Sequence, residues 1–254
     1  MDAGDTRGAI VTGAGRFPAT RHSVIDCLDA ADAAERRKAW ETLIAAYWKP
    51  AYKHLRLSWN LPREDAEDVT QEFFERALEG GMLERFEPGK ARFRTYLRVC
   101  LDRFASNARK AEGRLKRGGA HVHLPLDFPG AERELGEGGH AAEDVDEAFR
   151  QEMIRALFSA AVDALREQTR TAGKTRQFAI FERYDLRAAS PGESPPTYAA
   201  LSEEFGVPVT QVTNYLAAMR RDFRTLVLER LREIAATDNE FRAEARELFG
   251  PGAA

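Results

Sequence analysis

After Ser23, apolar residues recur almost everywhere at helical spacing, and no window shows sustained strand alternation between hairpin turns. From about Ala34 to Trp59 the series Trp40, Leu43, Ile44, Tyr47, Trp48, Tyr52 and Leu55 predicts a helix, with Pro50 as a kink or a second start. Pro62, followed by Asp65 in a first turn, predicts a helix running to about Glu79 and stopped by Gly80-Gly81. The turn Glu87-Pro88-Gly89 then leads into a long helix over about 90–117, ended by Gly118-Gly119.

Residues 120 to about 145 lose this periodicity. They hold Pro125, Pro129 and a cluster of glycines, the composition of a linker. Helices resume over about 145–168 and 174–187. A break at Ser190–Pro196 precedes a pair of helices, and a last helix is expected over about 238–249. The pattern predicts an all-α chain. A flexible tail covers 1–22, a helical domain 23–118, an acidic linker 119–145, a second helical domain 146–235, and a helical tail 236–254.

The second domain carries a helix-turn-helix pattern. Thr197 caps the first helix, whose inner face holds Ala200 and Leu201. Gly206 supplies the left-handed residue of the turn, and Pro208 starts the second helix. With Val209, Val212 and Leu216 facing inward, Thr210, Gln211, Thr213, Asn214 and Tyr215 point outward, suited to base edges. Arg220, Arg221 and Arg224 follow as phosphate contacts. A plain helical hairpin shares the glycine and the apolar spacing, but not the polar set followed by arginines.

The chain has 254 residues and a net charge of only −3, so charge matters through its placement. Between Lys90 and Arg117 there are ten basic residues, opposed only by Asp102 and Glu112, a net +8. Phe93, Tyr96 and Phe104 are interleaved with them. Phosphate neutralisation with aromatic stacking is how proteins hold single-stranded DNA. The alternative reading of the aromatics is core. Asp65, Asp68, Glu72, Glu75 and Glu79 form an acidic stripe at helical spacing, with Val69, Phe73 and Ala77 facing inward. From Gly118 to Glu147, eight acids face the single base Arg133. This strand is either an ordinary solvated linker or a polyanion mimic lying in a basic channel.

Cys27 and Cys100 lie far apart without metal-ligand spacing, which predicts reduced thiols in a cytoplasmic protein. No apolar run reaches bilayer-spanning length, so no membrane partner is expected. His22 and His54 stand isolated, and His121, His123 and His140 fall in the linker. No catalytic or metal-binding set is therefore expected, and no cofactor.

The order of these parts resembles the extracytoplasmic-function (ECF) sigma factors of bacterial RNA polymerase. Asp65-Ala66-Glu67-Asp68-Val69-Thr70-Gln71-Glu72-Phe73-Phe74 resembles their conserved region 2 motif, and Phe93-Arg94-Thr95-Tyr96-Leu97 resembles the part that follows. Thr197-Tyr198-Ala199-Ala200-Leu201 through Gly206-Val207-Pro208-Val209 resembles region 4. The likeness covers about residues 35–230.

It implies a promoter-specificity subunit rather than an enzyme, with core RNA polymerase (clamp coiled coil and flap) and promoter DNA as partners. An anti-sigma protein or other regulator is a further candidate partner. Asp65, Asp68, Glu72 and Glu75 would dock on the clamp. Arg92, Arg94, Tyr96, Arg98, Arg103, Asn107, Arg109 and Lys110 would engage and help melt the −10 element. Thr210, Gln211, Thr213, Asn214, Tyr215, Arg220, Arg221 and Arg224 would read the −35 element. The acidic linker would thread toward the polymerase active-site cleft and RNA exit path. Thr213, Tyr215 and Ala218 depart from the family, which often has arginine or lysine there. The other reading of the same features is a stand-alone helix-turn-helix regulator that binds an operator as a dimer.

Overall fold

The structure is a computed structural model that describes residues 25, 27, 28, 32–80, 82, 83, 85–111, 124–137, 144–187 and 195–252. Among these residues there is no β-strand. The α-helices are α1 (Ala33–Leu57), α2 (Arg63–Leu78), α3 (Phe93–Ala111), α4 (Phe128–Glu137), α5 (Val145–Thr171), α6 (Thr175–Phe181), α7 (Tyr198–Phe205), α8 (Val209–Ile234) and α9 (Asp238–Phe249). The all-α expectation is met. The expected tail 1–22 and residues 112–118 of the basic run lie outside the described residues.

Local chemistry sets most helix starts. The Asp32 carboxylate accepts from the amides of Ala34 and Glu35 at 2.8 Å and opens α1. Thr237 caps α9 by accepting from the Glu240 amide. Helix α1 continues through Pro50, which is buried, so the proline does not start a second helix. The apolar pattern continues on both sides of the proline, and burial of that stripe outweighs one lost backbone bond.

Two buried clusters form. The first gathers Trp40, Leu43, Tyr47, Tyr52, Phe73, Phe74, Phe93, Leu97 and Leu101 from α1–α3. The second gathers Leu165, Phe178, Ile180, Phe181, Leu201, Val212, Leu216 and Val227 from α5–α8. The expected boundary at 145/146 does not separate them. Phe149, Met153 and Leu157, on the first half of α5, belong to the first cluster, and Phe149 stacks on Tyr47 at 6.5 Å. Leu231 and Ile234 of α8 and Ala245 of α9 return to that cluster as well. Residues 236–252 are thus packed against the first helices rather than hanging as a tail.

The linker expectation also needs correction. Residues 128–137 form α4, docked on α1. Phe128 packs on Tyr52 at 5.0 Å and edge-on to Trp48 at 5.6 Å. Glu132 accepts from the Tyr52 hydroxyl and Arg56 Nε, both at 2.6 Å. Glu134 accepts from Lys49 at 2.7 Å and from the buried Lys53 at 2.9 Å. These acids neutralise cations on α1. At the start of α4, Asp127 accepts from the Gly130 amide at 3.0 Å. A Cβ at Gly130 would meet the same carboxylate, which would have to shift to make room.

Candidate nucleic-acid interface

The basic helix divides into two halves. Arg103, Asn107, Arg109 and Lys110 lie exposed on the second half of α3. Spacings of three, four and seven place Arg103, Asn107 and Lys110 on one stripe, with Arg109 at its flank. The first half is turned inward. Arg92 pairs with Glu244 at 2.6 Å and with Glu247 at 2.9 Å. Arg94 is buried against Glu244. Arg98 pairs with Asp102 at 2.9 Å and Asp146 at 3.0 Å. Burial, with Arg92 and Arg150 beside it, pulls the Arg94 guanidinium below its usual pKa.

The aromatics divide likewise. Phe93 is fully buried core, edge-on to Tyr47 at 5.7 Å. Tyr96 is half-buried and donates to the Met82 carbonyl at 3.0 Å. Its hydroxyl is pushed up to about 12 by burial and by Cys100. Phe104 is half-buried, packed on Phe73 at 5.7 Å under the Arg76 guanidinium.

On α2, Asp68 is exposed, while Asp65 and Glu72 are half-buried at the rim. Glu72 also accepts from Arg76 at 2.6 Å. Glu75 is buried and accepts from Gln71 at 3.1 Å, so it does not share the open acidic face. The inner face holds Ala66, Thr70, Phe73, Phe74 and Ala77.

The α7–α8 pair is joined at Gly206, in the left-handed region with φ 61°, where a Cβ would be strained. Thr197 accepts from the Ala200 amide at 3.1 Å, and Ser202 donates to the Val207 carbonyl at 2.6 Å. Leu201, Val207, Val212 and Leu216 are buried. Ala200 and Val209 were expected inside but are exposed. Val207, in the turn, is buried, and the inward stripe of α8 starts at Val212. Thr210, Gln211, Thr213 and Asn214 are exposed, and Tyr215 is half-buried with its hydroxyl 3.3 Å from Gln211 Oε1.

The arginines of α8 differ in freedom. Arg220 makes a two-pronged contact with Asp185, at 2.8 and 3.0 Å, over the Tyr184 ring. Both partners come from the π-helical turn Glu182–Leu186 that ends α6. Arg224 lies over the Phe249 ring at 5.3 Å and reaches the Gly252 carbonyl at 3.4 Å. Arg221 is the open one, with its side chain 75% exposed.

His54, isolated along the chain, is not isolated in space. Its Nε2 lies 2.6 Å from Asp102 Oδ1, which also accepts from Trp59 Nε1 at 2.8 Å. Burial opposes ionisation of Asp102, but hydrogen bonds from His54 and Trp59, with Arg98 nearby, outweigh it. The carboxyl is held below its usual range. No spacing in the chain announces this cluster, because its members lie 43 and 48 residues apart. Among the described residues no group of three or more His, Cys, Asp and Glu is placed to hold a metal ion, and no helix is long and apolar enough to cross a membrane.

Comparison with known proteins bears on the first cluster. The family model Sigma-70 region 2 matches residues 44–115, from within α1 to just past α3. No curated protein and no solved structure matches. The matched segment contains both the acidic rim of α2 and the exposed basic stripe of α3. Residues 44–115 are therefore similar to Sigma-70 region 2, the part of a sigma factor that binds core RNA polymerase and the −10 promoter element.

Proposed function

We propose that the chain is a cytoplasmic promoter-specificity subunit of the ECF type, which recognises both the −10 and −35 elements and supports promoter melting. The observation that carries this reading is the pairing of two opposite faces within residues 44–115. Asp65, Asp68 and Glu72 on α2 form an acidic rim for a basic surface of core polymerase, and Arg103, Asn107, Arg109 and Lys110 on α3 form a basic stripe for DNA. The α7–α8 pair acts as the helix-turn-helix. Thr210, Gln211, Thr213 and Asn214 meet base edges, and Arg221 meets a phosphate. With Arg220 held by Asp185, α8 offers little free charge for independent DNA binding. This disfavours the stand-alone operator-binding dimer. An anti-sigma protein or other regulator would act on these same faces.

Run-off transcription with core RNA polymerase, from the region upstream of the coding sequence, tests the proposal. Asp68→Arg with Glu72→Arg is expected to abolish polymerase binding while leaving the circular-dichroism melt unchanged, because both side chains sit at the surface. Unchanged polymerase affinity would remove α2 as the docking face. Tight operator binding without any polymerase binding would replace the proposal with the stand-alone regulator.

A further inference from the structure

Helix α9 places a row of carboxylates against the inward half of α3. Glu244 is buried and receives Arg92, Arg94 and, at 3.3 Å, Arg150. Glu247 receives Arg92 at 2.9 Å and Arg150 at 2.8 Å. Glu240 accepts from the Phe93 amide at 2.9 Å, at the first residue of α3. The end of the same segment reaches the other candidate DNA element, where Phe249 and the Gly252 carbonyl hold Arg224 of α8. One short C-terminal stretch thus occupies arginines from both basic elements.

Its apolar anchorage is partial: Ala245 is buried, Phe241, Leu248 and Phe249 are half-buried against the two cores, and Phe249 stacks on Phe158 at 6.5 Å. The contacts it makes with the start of α3 are polar and ionic. Buried ion pairs contribute little net stability, because the desolvation of both partners offsets their attraction. A phosphate backbone offers Arg92 and Arg94 the same oxygen chemistry as Glu244 and Glu247.

We infer that α9 is an autoinhibitory latch. In the free protein its glutamates hold Arg92 and Arg94 away from nucleic acid, and Phe249 and the Gly252 carbonyl hold Arg224. Single-stranded DNA competes for these arginines and displaces the helix. The inference rests on the reading of α3 as a DNA-contacting helix. Because coupling is reciprocal, weakening the latch strengthens DNA binding as much as DNA weakens the latch.

The test uses the full chain, a fluorescent mixed-sequence single-stranded oligonucleotide, and hydrogen exchange of the amides in 240–249. DNA is expected to speed exchange across α9 about tenfold, and Glu244→Gln with Glu247→Gln is expected to bind the oligonucleotide about tenfold more tightly than the parent. The half-exposed Glu247→Gln alone keeps the fold if the double variant melts, and is expected to tighten binding about threefold. Neutralising the exposed Asp163 and Glu167, as D163N with E167Q, controls for net charge and is expected to leave affinity within about twofold. DNA binding by the parent with unchanged α9 exchange, and no tightening in the variants, would make α9 a structural staple and overturn the latch alone. Failure of parent and variants alike to bind the oligonucleotide would overturn the underlying reading of α3 together with it.

Discussion

Replacing Arg103, Arg109 and Lys110 together by glutamine removes the three exposed cations of the α3 stripe. All three side chains lie at the surface, so folding stability should change by no more than about 0.5 kcal/mol per site. Each phosphate contact with a single strand contributes about 0.7 to the slope of log affinity against log salt. Three lost contacts lower that slope by about 2, which at about 0.1 M salt corresponds to a loss of about 100-fold in affinity. The measurement is fluorescence anisotropy with a mixed-sequence single strand, for the chain bound to core RNA polymerase, titrated over several salt concentrations. Arg170→Gln is the control. It removes an equally exposed arginine on α5, paired with Glu167 at 2.6 Å, and the slope should stay where it was. An unchanged slope in the triple variant, with an unchanged melt, would show that the stripe does not face DNA. A fall of equal size in the control would show that net charge, not position, governs binding.

Two further outcomes concern the fold. Phe149→Ala deletes a buried ring that stacks on Tyr47 and meets His54 edge-on at 5.9 Å. It should cost about 3–5 kcal/mol and lower Tm by about 10 °C in a thermal melt; a change below about 1 kcal/mol would detach the first half of α5 from the first core. Stability should also fall in acid. Glu132, Glu134, Glu247 and Asp102 are held below their usual ranges by their partners, so their contribution is complete above their unfolded values, about 4.5 for the glutamates. It is lost as pH falls through the lower folded values. Glu240, raised by burial, runs the other way, adding stability below about 4.5 that is lost as pH rises through its folded value. Melts over a pH series check the net sign, and Arg56→Gln should flatten the part that belongs to Glu132.

Helix positions were legible because they depend on neighbours. The 3.6-residue apolar period, the cap at Thr197 and the left-handed turn at Gly206 act over a few residues, and the chain states them directly. The acidic rim and the basic run were visible for the same reason. Which acid meets which base was not, since Arg92 and Glu244 lie 152 residues apart and Arg56 and Glu132 lie 76 apart. Such pairings cost loop closure and desolvation that only packing decides.

The linker misled by composition. Its prolines and glycines suggest irregular chain, yet Phe128 finds an aromatic seat on Trp48 and Tyr52, and the burial holds a short helix that its own sequence would not sustain. Pro50 does not start a second helix, because the packed stripe of α1 tolerates it. By itself the sequence determined an all-helical chain with segregated charge. Only the tertiary structure decided that Arg94 and Arg98 of α3, with Arg92 just before it, face inward, because long-range ion pairs form where packing brings the helices together.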